Sequence, residues 1–477
     1  MEEYRRNVNE MGDLIDVSYI RPNNERAEIA ALKSIKTSIF NNISITLSRL
    51  IMTTNLIILG HTLYENKDQC GLFILFQIGI MMIEILGKFF ILGLIKYLFE
   101  DKEDNNELYV LFIRMKTILV IVIPILLGPI CLLFSFLLME LLLKYYNLDL
   151  LNQSLIKEFY YKFLIFAPVI YLFEILFLLN LQFLKYQKKT QSVFIYVISF
   201  LVTHIALSFV LVYLLDYGLI GLTISYFANS FLYYVFSNQN IKKSFEEIAQ
   251  NIFFLIPSQS NFDGEVFNLF KERSLFSIYN IGDILFLYLV FFMSLFTDRE
   301  QLVVNIIYLN FYELIFFINK GFYSSLKNYI STKIEEASKR QKYVLFFAFY
   351  FMILALMLFL FLIIFDDILL DIYFGGGEKI IAQICHKLRI IYPICLLLNG
   401  VRMILNGMIR GMNIPLPLIK KLIYITICII ISYYCCFELE YGILGLWISA
   451  NVLNIFYVLE NTHKAVNFFP QFFNSII

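Results

Sequence analysis

Charge is what this chain has least of. Asp, Glu, Lys and Arg make up 16% of its 477 residues, against 60% hydrophobic, whereas a soluble domain carries about 25% charged side chains. An ordinary soluble domain is excluded. The 38 basic and 38 acidic residues leave no excess of either sign, a balance that by itself says nothing about partners; no nucleic-acid partner is expected. The sequence has no CxxC, HExxH, GxSxG or P-loop pattern, so zincin, serine-hydrolase and ATPase chemistry have no motif to rest on, and no enzymatic activity is expected. Gly375–Gly377 is a loop feature without the lysine and Ser/Thr that a phosphate loop needs. The seven cysteines form no disulfide framework: Cys131, Cys395, Cys428, Cys435 and Cys436 fall in apolar runs, where Cys packs as a small residue, leaving Cys70 and Cys385 as the one pair placed for a bridge. No charged-then-apolar signal opens the chain. No cofactor or metal is expected, and uphill transport would draw on an ion gradient.

What the chain does have is long apolar runs. Thr117–Met139 and Tyr343–Phe365 are 23 residues each without a charged side chain, and a hydrocarbon core of about 30 Å takes about 20 helical residues. Twelve spans are expected, near 35–60, 72–95, 117–140, 159–181, 191–215, 218–237, 274–296, 302–319, 343–365, 384–408, 422–437 and 442–461. With twelve spans and a cytoplasmic amino terminus, most Lys and Arg fall on the cytoplasmic side, and both termini are expected there. The fold class is therefore an all-α polytopic membrane protein, multi-pass, in the plasma membrane or a vacuolar or other endomembrane.

The runs repeat. Asp216–Ser225 (DYGLIGLTIS) returns 224 residues later as Glu440–Ser449 (EYGILGLWIS), identical at six of ten positions. Pro168 and Pro393, and Asn180 and Asn406, keep nearly the same offset. Two tandem copies of six spans enter the membrane from the same side, so the lobes should be related by a pseudo-twofold axis along the membrane normal. The expected division is an amino-terminal tail (1–32), a first lobe (33–237), a cytoplasmic linker (238–271), a second lobe (272–463) and a carboxy-terminal tail (464–477). A two-copy membrane protein is most economically a transporter, with its path between the copies.

Ionisable groups at mid-span are costly and face the protein interior or water. They are few: Arg49, Glu84, Lys88, Glu174, His204, Asp283, Glu313 and Arg402. Glu84 and Lys88 are four apart on one helix face and can neutralise each other. Arg49 lies in a span rich in Asn, Ser and Thr, Asn55 included, which should line water or substrate. His204 reads as a hydrogen-bonded interior residue, and Arg402 as a snorkelling group or the counter-charge of a carboxylate. Asp283, flanked by Asn280 and Gly282, has no basic residue within a turn. A carboxyl alone in low dielectric favours its neutral form and suits reversible proton uptake. Glu313, one turn from Asn310, is the second candidate. Asp283 and Glu313 are thus the ion-coupling candidates, with H⁺ or Na⁺ as the ion. Arg49, Asn55, Glu84, Lys88, Glu174, Asn310, Asn399 and Arg402 are candidates to line a substrate cavity.

Leu181–Gln191 (LQFLKYQKKTQ), Asn406–Gly411 (NGMIRG), Gly445–Trp447 and Gly321–Ile330 (GFYSSLKNYI) resemble, in that order, the LQxFLQxQ segment of eukaryotic members, GVLRG, the GLW opening of span twelve and the segment after span eight of the multidrug and toxic compound extrusion (MATE) family. The resemblance covers roughly residues 35–462. It implies two six-helix lobes, alternating access, and export of organic cations or other amphiphiles in exchange for H⁺ or Na⁺. Asp283 falls near the glutamate that eukaryotic members carry early in span seven. Asn310 and Asn399 stand where the family has glutamates in spans eight and ten, and Gly87-Lys88-Phe89-Phe90 replaces Gly-Gln-Ala-Phe. The Asp of span one in many prokaryotic members is missing. Lys88, Arg49 and Arg402 add positive charge that favours an anionic substrate wherever they reach the cavity.

The expected function is a secondary antiporter, monomeric in the lipid bilayer, exporting small organic substrates. Two alternatives remain open: a lipid-linked saccharide flippase of the same superfamily, and a degenerate, non-transporting member acting as a scaffold.

Overall fold

In a bilayer no water meets the backbone, so an apolar run must satisfy its own N–H and C=O groups, which a helix does. The computed structural model describes residues 160–187, 189–244, 288–332, 337–364, 379–411 and 418–468, with isolated positions within 29–61 and 112–133 and at 286, 368 and 372. Regular structure at these positions is helical throughout. In chain order the α-helices are α1 (Ala167–Tyr186), α2 (Thr190–Ser208), α3 (Gly218–Ser244), α4 (Arg299–Thr332), α5 (Ala337–Ile364), α6 (Lys379–Leu388), α7 (Ile391–Gly411), α8 (Leu418–Tyr433) and α9 (Ile443–Phe468). All but α6 are long and apolar enough to cross a membrane, eight in total among the described residues. The chain is an integral, multi-pass membrane protein.

These eight match expected spans four to six and eight to twelve. Spans one, two, three and seven lie wholly or largely outside the described residues, so twelve remains the sequence's count. Three boundaries differ, each for a visible reason. Expected span ten is two helices, α6 and α7, because Pro393 has no N–H for the carbonyl of residue 389 and its ring crowds that carbonyl. Expected span four likewise opens with a π-helical turn, Tyr160–Leu164, before α1 starts with Pro168 in its first turn. Helix α4 continues well past residue 319, because Phe322, Leu326 and Ile330 keep one apolar face that buries against Tyr343, Phe347 and Phe351 of α5. A hydropathy window averages that face with the polar one opposite.

The two copies of the repeat fold alike. Helices α2 and α8 both end in a π-helical turn, Phe209–Leu214 and Tyr434–Glu438. The closing bonds correspond at the 224-residue offset: Leu215 N–H donates to Val210 O and Leu439 N–H to Tyr434 O, each at 3.0 Å. Tyr217 N–H reaches Leu211 O at 3.0 Å, and Tyr441 N–H reaches Cys435 O at 3.2 Å. Asp216 and Glu440 both take a left-handed backbone (φ 53° and 56°), as do Gly218 and Gly442 (51° and 54°). Ser208 bonds Ser225, and Ser432 bonds Ser449. Asn180 donates to Ser237 at 2.7 Å, and its counterpart Asn406 accepts from Asn461 at 2.9 Å.

The described residues form two compact units, the first within Leu47–Tyr288 and the second within Leu289–Asp371 and Gly377–Ile477. In the first, α3 packs on α1 and α2; in the second, α9 packs on α7 and α8, and α4 packs on α7. Burial sorts the helices. In α1, 89% of the apolar window is buried, whereas in α5 only 17% is, so α1 is interior and α5 turns most of its surface to lipid. Aromatic rings fill the first core: Phe177 stacks on Phe200 at 5.3 Å, and Phe200 meets Tyr233 at 5.2 Å. Cys70, and with it the Cys70–Cys385 pairing, lies outside the described residues. Cys395, Cys428 and Cys436 are buried packing residues.

Candidate functional site

Each unit holds buried polar side chains where the membrane interior would otherwise be apolar. In the second unit they come from three helices at helical spacing. Helix α4 supplies Asn305, Tyr308 and Tyr312 on one face, α7 supplies Tyr392, Cys395, Asn399 and Arg402, and α9 supplies Trp447, Asn454 and Tyr457 with the half-buried Asn451. Trp447 Nε1–H donates to Asn305 Oδ1 at 3.1 Å, and Tyr392 O–H donates to Tyr308 O at 2.9 Å. The rings of Tyr308 and Tyr392 lie 4.4 Å apart, those of Tyr392 and Trp447 4.9 Å, and those of Tyr312 and Trp447 5.7 Å. Asn454 Nδ2 donates to Cys395 O at 3.4 Å, tying α9 to α7. Arg402 places its Cζ 5.0 Å from the Tyr457 ring centroid, within range of a cation–π contact. Glu313 and Asn310 are each 2% exposed, with Asn310 Nδ2 bonding back to Ile306 O at 2.9 Å.

The first unit is organised around Glu174 of α1. It is 1% exposed and accepts a hydrogen bond from the Tyr226 hydroxyl of α3. Tyr226 packs against the His204 ring of α2, centroids 5.5 Å apart, and His204 Nε2–H donates to Asn55 Oδ1 at 2.7 Å. Asn55, Glu174 and His204 are thus linked through one tyrosine, far from each other in sequence. A second polar group lies on the same helices. Lys116, 4% exposed, donates to Asn238 Oδ1 at 2.8 Å and sits 4.7 Å from the Tyr234 ring centroid. Asn180 Nδ2 donates to the same Asn238 oxygen at 3.0 Å.

Six of the sequence candidates are described. Asn55 and Glu174 come together in the first unit; Asn399 and Arg402 share one face of α7 in the second, and Asn310 and Glu313 share one of α4. Arg402 is 3% exposed, so it does not snorkel, and no carboxylate of the described residues pairs with it. His204 is the hydrogen-bonded interior residue expected. Asp283, Arg49, Glu84 and Lys88 lie outside the described residues. Sequence reasoning missed Lys116, which immediately precedes an uncharged run. It also missed Tyr226, Asn238 and Asn454, because a search for charged groups passes over neutral ones; the recurrence of Asn451, Asn454 and Asn461 in one span was the available signal.

No protein-family model matches the sequence, and no curated protein matches it. Solved structures do. The chain is similar to the eukaryotic MATE transporter AtDTX14 at 13% identity and a TM-score of 0.64, covering 92% of this chain and 96% of that one. The chain has the MATE fold. A MOP superfamily transporter from Pyrococcus furiosus aligns at 12% identity and TM-score 0.63, over 96% of this chain and 97% of its own. The lipid II flippase MurJ aligns at 18% identity and TM-score 0.54, over 89% and 87%. On the MATE fold, α1, α4, α7 and α9 set buried amides, carboxyls and a cation inside spanning helices.

Proposed function

We propose that the chain is a secondary active transporter that exports a small organic substrate in exchange for H⁺, or Na⁺, by alternating access between two lobes. The observation that carries this reading is Glu313, a carboxyl buried in a spanning helix of a MATE fold. Protonation neutralises such a group and lets it stay dehydrated while the path closes; release on the other side restores a charge that favours a hydrated, open path. Asp283 is the partner candidate for this exchange. Six-span lobes, cytoplasmic termini, a monomeric state and a plasma-membrane or endomembrane location belong to the same reading.

The test is gradient-driven efflux from proteoliposomes, with a cationic dye and a carboxylated dye as cargo, for the wild type, Asp283→Asn and Glu313→Gln. Gradient-dependent efflux of one dye that falls to the protein-free leak in either variant is the expected result. Efflux that persists unchanged in both variants removes these acids from the coupling role. The buried cations Lys116 and Arg402, with the similarity to a lipid II flippase, favour one second reading: a flippase for lipid-linked saccharides, whose pyrophosphate needs positive partners. In that case neither dye moves, and a labelled polyprenyl-pyrophosphate saccharide crosses the bilayer instead.

A further inference from the structure

A guanidinium inside a membrane protein normally faces a carboxylate, because an uncompensated buried charge is expensive. Arg402 departs from this. It is 3% exposed, its charged carbon is 5.0 Å from the Tyr457 ring centroid, and its Nε–H has no hydrogen-bond acceptor. Among the described residues no Asp or Glu forms an ion pair with it. Three residues earlier on the same helix face, Asn399 is 0% exposed, and neither atom of its amide has a hydrogen-bond partner. Asn399 and Arg402 therefore present a buried N–H₂ donor and a cationic fork on one side of α7. The Tyr457 ring backs the guanidinium, and Asn454 of α9, occupied by the Cys395 carbonyl, holds the neighbouring turn. The unpartnered donors, Asn399 Nδ2 and Arg402 Nε, and a guanidinium with no carboxylate partner among the described residues would all be met by an anion with lone pairs in a plane.

We propose that Asn399 and Arg402 form a carboxylate-binding subsite within the second unit, which takes the anionic group of the transported substrate; the substrate half of this rests on the transporter reading above. The planar guanidinium matches a carboxylate in bidentate fashion, and the Asn399 amide adds a donor one turn away. Bound there, the anion supplies the counter-charge Arg402 lacks. A halide offers the charge without the second oxygen and fits less well.

The experiment is thermal unfolding of the full chain in detergent and a zwitterionic buffer, with sodium acetate, sodium chloride, or sodium chloride plus acetamide at equal sodium. A ligand that binds only the folded state raises its melting temperature. Acetate is expected to raise it above both chloride solutions in the wild type. The extra rise is expected to vanish in Arg402→Met and Asn399→Leu and to shrink in Arg402→Lys, which keeps the charge and loses the fork. An acetate-specific rise that survives Arg402→Met overturns the subsite. So does a chloride rise equal to that with acetate. Should Arg402→Met fail to fold, Arg402→Lys and Asn399→Leu decide the matter by the same comparison. Unfolding requires no transport. A protein that binds acetate through Arg402 and moves neither dye keeps the subsite and loses its substrate assignment, whereas transport with no acetate effect loses the subsite alone.

Discussion

Glu174 shows how a spanning helix retains a carboxyl. The Tyr226 hydroxyl donates to it from α3, and Tyr226 in turn packs on His204, which bonds Asn55. Replacing Tyr226 with Phe keeps the ring contacts and removes one donor from a buried acid. Loss of a buried hydrogen-bond partner costs about 1–3 kcal/mol, so Tyr226→Phe should lower unfolding stability in detergent by that amount. A stability equal to the wild type would mean that Glu174 draws nothing from this contact. At this scale the sequence was informative about which groups enter the membrane and silent about what meets them. Glu174, Glu313 and Arg402 stand out as charged residues in apolar runs. Lys116 and Asn238 meet across 122 residues and His204 and Asn55 across 149, so their pairing depends on how helices pack, which no local pattern encodes.

Elements carry the clearest repetition. Gly221 and Gly445 follow the left-handed turns, where α3 and α9 press against the π-helical turns before them. A Cβ on Gly221 would lie 2.8 Å from Leu211 O, and one on Gly445 2.6 Å from the Cys435 carbonyl carbon. Backbone cannot give way as a flexible side chain can, so Gly221→Ala and Gly445→Ala should each destabilise by about 1–3 kcal/mol. Gly128 has nothing within 4 Å of a Cβ, and Gly128→Ala should shift stability by no more than about 0.5 kcal/mol. Equal melting temperatures for all three variants would show that the close approach is not maintained. The decapeptide repeat predicted equivalent elements, and the matching serine bonds, asparagine bonds and π-helical turns fulfil that expectation. Less legible were the breaks before Pro168 and Pro393 and the extension of α4, because a continuous apolar run reads as one helix whether or not its ladder is interrupted.

For the whole molecule, the expected topology has an even number of spans and both termini in the cytoplasm. Tags fused at residues 1 and 477 should both resist protease added to intact cells and both be cut once the membrane is permeabilised. Cleavage of one tag in intact cells would require an odd number of spans, and cleavage of both would invert the orientation. The MATE fold, met at 13% identity, illustrates how little sequence identity a membrane architecture needs: the bilayer demands apolar, self-satisfied helices, and many sequences meet that demand.

The sequence by itself determined that this protein crosses a membrane many times, that one ten-residue segment recurs 224 residues later, and that Glu174, Glu313 and Arg402 are charged residues within apolar runs. Those properties follow from composition and period, because hydrocarbon selects for apolar length and backbone satisfaction residue by residue. Only the tertiary structure decided that Glu174 is met by Tyr226, that Lys116 is buried on Asn238, and that Arg402 lies beside Tyr457 with no carboxylate of the described residues paired to it. Those outcomes depend on the faces that packed helices turn toward each other, and the apolar requirement is satisfied equally by many such arrangements.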